Sequence, residues 1–303
     1  MAKVIAIVSQ KGGVGKTTTA ANLAAALAQE GRSVLLMEVD PQGGLAESLS
    51  LKGTQAAGLG EVLRGWSPLE EAIYETSVEG LHLLPAGKVD SELEEELQRS
   101  ARENLFVLRE LTDELRDRYE ILILDSPATM GALSRACLAA ADSYLVPVQA
   151  EELSYRTLDR VLEVADEIHE TANPELACEG FLLTMVDLRT RMSRKVVNQL
   201  YENHGDRVMV SMVPRTVRMQ EMSERGRPLV IHAPSTRGAL AYGEVAREIL
   251  LHGPSDPAAE ADALADIAGD GSLLALTAPG RSWEDTLDRS AHWLDEDDGM
   301  TIN

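Results

Sequence analysis

The sequence predicts a doubly wound α/β fold, with a mainly parallel sheet and helices on both faces. Three observations carry this expectation. Six short runs rich in Val, Ile and Leu recur, VIAIVS, VLLMEVD, ILILDSP, SYLVPVQ, FLLTMVD and VMVSMVP, and LHLLPAG makes a seventh. Such continuous apolar runs suit strands covered on both sides. Amphipathic stretches of helical length, among them TTTAANLAAALAQEG and RTLDRVLEVADEIHE, lie between them, so strand and helix alternate. A glycine-rich turn joins the first strand to the first helix, the place a phosphate loop has to occupy.

That turn reads Lys11-Gly12-Gly13-Val14-Gly15-Lys16-Thr17-Thr18. Glycines let backbone N–H groups converge on phosphate oxygens, and the following helix adds the positive end of its dipole. Lys16 would neutralise the outer phosphates, and the Thr17 hydroxyl would ligate Mg²⁺. The loop is therefore expected to hold a nucleoside triphosphate. The ordinary phosphate-loop consensus places glycine five positions before Gly15, where this chain has Gln10. A second lysine, Lys11, exceeds what one nucleotide needs. Asp40, in MEVDPQGG, and Asp125, in ILILDSPATMG, each follow a strand at its C-terminal end, where ligands of open α/β sheets gather. No nucleophile-elbow spacing is present, and the six histidines form no ligand cluster.

Composition sets further bounds. The 303 residues, 44% hydrophobic, are enough for one large core or one domain with an appendage. No apolar run reaches membrane-spanning length, and MAKVIAIVSQ enters strand-like sequence directly, so a cytoplasmic location without membrane insertion is expected. Cys137 and Cys178 each sit in an apolar stretch and are read as small core residues. The formal net charge of -22 opposes adsorption to nucleic acid, so any DNA contact needs a local basic patch. Residues 254–303 hold 12 acids and 2 bases and form a separate acidic extension to an ATPase domain spanning 1–253. Trp283 and Trp293 in that extension leave two readings, a short helix docked on the body or a partner, and a flexible acidic tail.

KGGVGKTT resembles the deviant Walker A motif of the ParA and MinD superfamily of P-loop NTPases. By that resemblance Lys11 reaches across an ATP-bound homodimer to the other subunit's phosphates, and Lys11, Lys16 and Asp40 form the catalytic set. Gly12, Gly13, Val14, Gly15, Lys16, Thr17 and Thr18 would cradle the nucleotide. Asp125 resembles the Walker B acid that holds Mg²⁺ through water, beside Thr17, and Asp40 resembles the acid that senses the γ-phosphate and helps position the attacking water. Two residues depart from the family pattern, Glu38 where aspartate is usual and Gly44 in place of a common asparagine.

The resemblance runs over residues 1 to 250, through ADSYLVPVQAEELS, FLLTMVDLRTRMSRKVV, VPRTVRMQE and APSTRGALAYGEVAREIL. It points to the short chromosomal form of ParA, without an N-terminal helix-turn-helix domain. It places Met185 and Pro214 near the adenine, and Arg189 and Arg218 where relatives contact DNA phosphates. Ten basic residues fall between residues 189 and 237 of this acidic chain. They fit a nonspecific DNA surface, and they also fit a solvated face carrying ion pairs. The implied function is an ATP- and Mg²⁺-dependent partitioning ATPase. Its sandwich dimer binds nucleoid DNA nonspecifically and is released by hydrolysis that a ParB-like activator stimulates. Positioning of a protein cargo is the alternative. A MinD-type membrane regulator would need a basic amphipathic C-terminal helix, whereas this C-terminal segment is acidic. An iron-sulfur reductase related by fold would need paired cysteine ligands.

Overall fold

A computed structural model describes residues 2–51, 57–87, 91–219 and 225–251. The acidic extension, including Trp283 and Trp293, lies outside the described residues. Eight strands form one sheet: β1 (Lys3–Ile7), β2 (Val34–Glu38), β3 (Tyr74–Glu75), β4 (Leu81–Leu84), β5 (Ile121–Asp125), β6 (Ser143–Gln149), β7 (Ala177–Val186) and β8 (Val208–Pro214). Their spatial order is β3-β4-β2-β5-β1-β6-β7-β8, with every pairing parallel except β3 with β4. All seven apolar runs of the sequence are strands. The short antiparallel β3 is an addition to that expectation, because two residues are too few to carry an alternation of polarity.

Eleven helices pack around the sheet among the described residues. They are α1 (Lys16–Gln29), α2 (Leu45–Ser48), α3 (Leu59–Leu63), α4 (Ser91–Glu103), α5 (Val107–Leu115), α6 (Ala132–Ala140), α7 (Glu152–Arg156), α8 (Leu158–Thr171), α9 (Arg191–His204), α10 (Leu229–His232) and α11 (Arg237–Leu251). Side chains alternate across the strands and feed two cores. Val4, Ala6, Leu35, Met37, Leu122 and Leu124 join the layer that includes α6 and α8. Ile5, Ile7, Leu36 and Ile123 join the opposite layer with α1 and α11. Each core residue of the central strands is fully buried, which explains why their sequence is apolar without a break.

β1 occupies the middle of the sheet, with β5 and β2 on one side and β6, β7 and β8 on the other. The chain thus reverses its direction of winding at β1, and the loop after it opens at a topological switch point. The C-terminal ends of the parallel strands form one rim above the sheet. At the far edge, Glu248 of α11 accepts hydrogen bonds from the Val210 and Ser211 amides (2.7 and 3.0 Å), so a helix satisfies backbone donors of β8. Cys137 is buried and Cys178 half-buried, both as free thiols.

The helix that starts at Lys16 is tied to α11 by the buried pair Thr19 Oγ1 and Tyr242 Oη, 3.1 Å apart. Tyr242→Phe is expected to lower stability by about 1–3 kcal/mol in urea denaturation at neutral pH, since the Thr19 hydroxyl loses its buried partner. Burial pushes the Tyr242 phenol up to about 12. Its protonated form thus contributes fully below pH ~10, the ordinary tyrosine value. The contribution fades as the pH rises through about 12, because the unfolded chain ionises first. The gap in stability between wild type and Tyr242→Phe should narrow over that interval, and a constant gap would refute the assignment.

Candidate nucleotide site

The loop after β1 is shaped by glycines at two left-handed positions, Gly13 (φ 77°) and Gly15 (φ 89°), a region that residues with a Cβ seldom enter. Gly15 precedes α1, whose first turn carries neither an acidic residue nor a side-chain cap, so its amides point into the loop free for an anion. Gly12 and Gly13 are exposed, and a Cβ on either would meet open space. The end of β7 braces the loop. Thr184 Oγ1 donates to the Val14 carbonyl (2.8 Å, buried), and the Met185 side chain reaches within 3.8 Å of where a Gly15 Cβ would stand. Met185 itself has φ 52°, a left-handed conformation rare for a residue of its kind. Pro214 ends β8 directly opposite Val186, so Met185 and Pro214 are neighbours on the same rim.

Lys16 is buried and turned down toward the strand ends. Its Nζ donates to Asp125 Oδ1 (3.2 Å) and lies 3.6 Å from Asp40 Oδ2. β1, β2 and β5 are adjacent, which brings the first turn of α1 and two strand-end carboxylates into one cluster. Burial raises the Asp125 carboxyl above the usual range, Lys16 and the Thr17 hydroxyl draw it down, and Asp40 pushes it up again. Asp125 Oδ2 is buried without a hydrogen-bond partner. An orphaned carboxylate oxygen beside the Thr17 hydroxyl suits a hard divalent cation or its water shell, so the residues fit Mg²⁺. Thr18 is half-buried on the same turn, where its carbonyl accepts from Asn22 Nδ2 (2.9 Å).

Asp40 is held by its own backbone. The Val39 and Asp40 amides both donate to the Asp125 carbonyl (3.0 and 3.1 Å), and Asp40 Oδ1 accepts from the Gln42 amide (3.0 Å). Two residues earlier, Glu38 is buried with both carboxylate oxygens engaged. Oε1 accepts from the Leu45 amide (2.7 Å) and Oε2 from the Ala86 amide (3.1 Å). Burial raises the Glu38 carboxyl, its two amide donors oppose that, and the nearby Asp125 and Asp40 add to the rise.

Lys11 turns the other way. In the single chain its Nζ donates to Gln149 Oε1 (3.2 Å), Glu151 Oε2 (3.2 Å) and Ser154 Oγ (3.1 Å), at the end of β6 and the start of α7. Sequence reasoning missed these three partners, although the polar AEELS segment after a buried strand was a usable signal. Arg189 and Arg218 do not belong to this cluster. Arg189 is 80% exposed and forks onto Asp187, with Nε to Oδ1 at 2.9 Å and Nη2 to Oδ2 at 3.1 Å. That pairing lowers the Asp187 carboxyl. Arg218 is exposed on the short turn Val217–Met219.

A buried ammonium shared by two carboxylates makes a sharp stability test. Lys16→Met is expected to cost about 3–5 kcal/mol at neutral pH, because Asp125 would be left buried without its cation. Asp125→Asn in the same chain should recover a large part of that loss. A double variant as unstable as Lys16→Met alone, in chemical denaturation, would show that the pair is not coupled.

Residues 2–178 match the family described as AAA domain. The chain is 34% identical over 258 residues to the sporulation initiation inhibitor protein Soj of Bacillus subtilis, covering 84% of this chain and 100% of that protein. It is 38% identical over 247 residues to the chromosome-partitioning ATPase Soj of Thermus thermophilus, covering 81% of this chain and 94% of that protein. Among solved structures, cobyrinic acid a,c-diamide synthase from Mycobacterium smegmatis with bound ADP and magnesium superposes with a TM-score of 0.70 at 31% identity, over 83% of this chain and 95% of that one. The phosphate loop with its additional lysine, the strand-end acids and the similarity across four-fifths of the sequence agree, and the chain belongs to the ParA/Soj family of chromosome-partitioning P-loop ATPases.

Proposed function

We propose that this protein is an ATP-dependent partitioning ATPase whose ATP-bound homodimer binds DNA without sequence preference and lets go after hydrolysis. The observation that carries this reading is the convergence of Lys16, Asp125 and Asp40 beneath a loop that also presents Lys11. ATP is the substrate, bound with its phosphates in the amides of Gly12 to Thr18 and its base toward Met185 and Pro214. Thr17 and Asp125 would hold Mg²⁺, which spreads the charge of the β- and γ-phosphates. Lys16 gives up its carboxylate partners for phosphate oxygens on binding. Asp40 orients the attacking water, and stabilisation by fixed charges does the rest.

Lys11 must leave Gln149, Glu151 and Ser154 to reach the phosphates of a second subunit. Its cis contacts are part of the unliganded state in this reading, and dimerisation exchanges them for phosphate. Gly12, exposed beside it, lies on the approach of that subunit. Release of the dimer falls to a ParB-like activator that speeds hydrolysis, and the protein works in the cytoplasm on the nucleoid. No described helix is long and apolar enough to cross a membrane.

The DNA surface is read from charge. Arg191 and Arg194 lie in the first turn of α9, which holds no acid of its own, although the positive end of a helix disfavours cations; Lys195, next along the helix, pairs with Glu152 at 3.0 Å. A phosphate backbone would relieve that arrangement together with Arg189 and Arg218. Arg189 is held by Asp187 in the free chain, so DNA has to compete for it. Contacts to phosphate alone carry no base code.

Two outcomes test this function. Asp40→Ala should retain ATP binding in a fluorescent-nucleotide titration while kcat falls by about 10²–10³. Wild-type turnover in that variant would exclude Asp40 from the chemistry. With ATP present, the Arg189→Ala/Arg218→Ala protein should bind DNA more weakly, with a log-affinity against log-salt slope shallower by roughly 3–4 for the four arginines lost per dimer. Equal affinity and slope for wild type and double variant across a salt series would reduce the patch to a solvated face.

A further inference from the structure

The segment that carries Asp40 is short, glycine-rich and pinned at both ends. It enters from β2 with the Val39 and Asp40 amides on the Asp125 carbonyl. It leaves at Leu45, the first residue of α2, after Gly43 (φ 70°) and Gly44 (φ 121°, ψ -17°). The bond that closes its exit is a side-chain one: the Leu45 amide donates to Glu38 Oε1 at 2.7 Å. The second oxygen of the same carboxylate is anchored on the Ala86 amide, 3.1 Å away, in the loop after β4. That loop is itself fixed. Its Pro85 and Ala86 carbonyls accept from the Leu59 and Gly60 amides of α3 at 2.8 and 3.0 Å.

We propose that Glu38 and Gly44 act together as a positioning pair that sets the placement of Asp40, and so the rate of phosphate cleavage, without touching the nucleotide. This rests on the ATPase reading above. The reach of the side chain decides the matter. Glu38 is buried and spans two amides from segments about forty residues apart in sequence, Leu45 and Ala86. Aspartate would be shorter by one C–C bond, about 1.5 Å, and would have to abandon one amide on the same backbone. Gly44 supplies the complementary freedom. Its φ of 121° with ψ near zero lies outside even the left-handed region that asparagine tolerates. No neighbouring atom crowds its Cβ position, so glycine is required there by the backbone and not by packing. The turn it permits aims the Leu45 amide at Glu38. These are also the two positions at which the segment departs from the family pattern, and the geometry makes them one device.

The pair makes a specific demand on kinetics. The full-length proteins Glu38→Asp, Glu38→Gln, Gly44→Asn and Glu38→Asp/Gly44→Asn would be compared for kcat and KM of ATP hydrolysis. Glu38→Asp and Gly44→Asn should each lower kcat by roughly 10–100-fold with KM close to wild type, the signature of a misplaced group that does not contact the nucleotide. Glu38→Gln, isosteric but with an amide nitrogen that cannot accept a hydrogen bond, should fall between wild type and Glu38→Asp. Shortening Glu38 already breaks the bridge between the Leu45 and Ala86 amides. The double variant should therefore be no slower than Glu38→Asp alone. Unchanged kcat in Glu38→Asp, or a double variant as slow as the product of the two single losses, would overturn the proposal. Amide exchange gives a readout independent of turnover: whichever of the Leu45 and Ala86 amides is abandoned should exchange faster in Glu38→Asp, and unchanged exchange at both overturns the pair. If wild type binds ATP without hydrolysing it, the function above fails, and the exchange measurement still decides whether Glu38 holds the segment.

Discussion

Lys16 sits where three structural commitments meet. Its ammonium is buried at the first turn of α1, bonded to Asp125 at the end of β5 and close to Asp40 beyond β2. A buried cation needs compensating charge, and a buried carboxylate needs a cation or hydrogen-bond donors, so Lys16 and Asp125 fix each other's position. The three adjacent strands β2, β5 and β1 must be in register for this to occur, and they are: Ile7 and Glu38 both pair with Asp125. The sheet therefore exists in the form that brings these charges together. The cluster is also incomplete as it stands, with one Asp125 oxygen left unbonded in the interior. Interiors rarely leave such an atom unsatisfied unless a ligand or ion answers it.

Around that cluster the polar chemistry divides into two shells with different freedom. The inner groups, Glu38, Asp125 and Thr184, are buried and bonded to backbone amides or carbonyls, or to Lys16. They cannot move without breaking the rim of the sheet. The outer groups are held by side chains that can exchange partners. Lys11 rests on Gln149, Glu151 and Ser154, and Arg189 on Asp187. Exposed ion pairs of this kind contribute little to stability. Losing either set of contacts would therefore cost the fold little.

Unusual backbone conformations occur at the same rim. Gly13, Gly15, Gly43 and Gly44 have positive φ, and so does Met185, a residue with no intrinsic liking for that region. Backbone held in sparsely populated conformations clusters at sites where geometry is used. Here it shapes the loop after β1, the segment after β2 and the end of β7. These are three of the places at which the chain leaves the sheet beside the Lys16 cluster. At the edge of the sheet, two backbone donors of β8 are satisfied by the side chain of Glu248.

The sequence by itself determined the alternation of seven buried strands with helices, the phosphate loop and the two strand-end acids. Each is a local matter: continuous apolar runs, glycine spacing, and residues adjacent to a strand in the chain. It also showed that Glu38 and Gly44 were unusual. What it could not state was their connection, because the bond from Leu45 to Glu38 depends on the turn through Gly43 and Gly44, and the bond from Ala86 on how β2 and β4 lie side by side. The same holds for Lys11, whose partners lie some 140 residues away and become neighbours only when β6 pairs with β1. The antiparallel β3 was invisible because its two residues derive their conformation from β4 alone. Tertiary structure decided which charges met, since burial and partner choice are properties of strand order and register that no local pattern encodes.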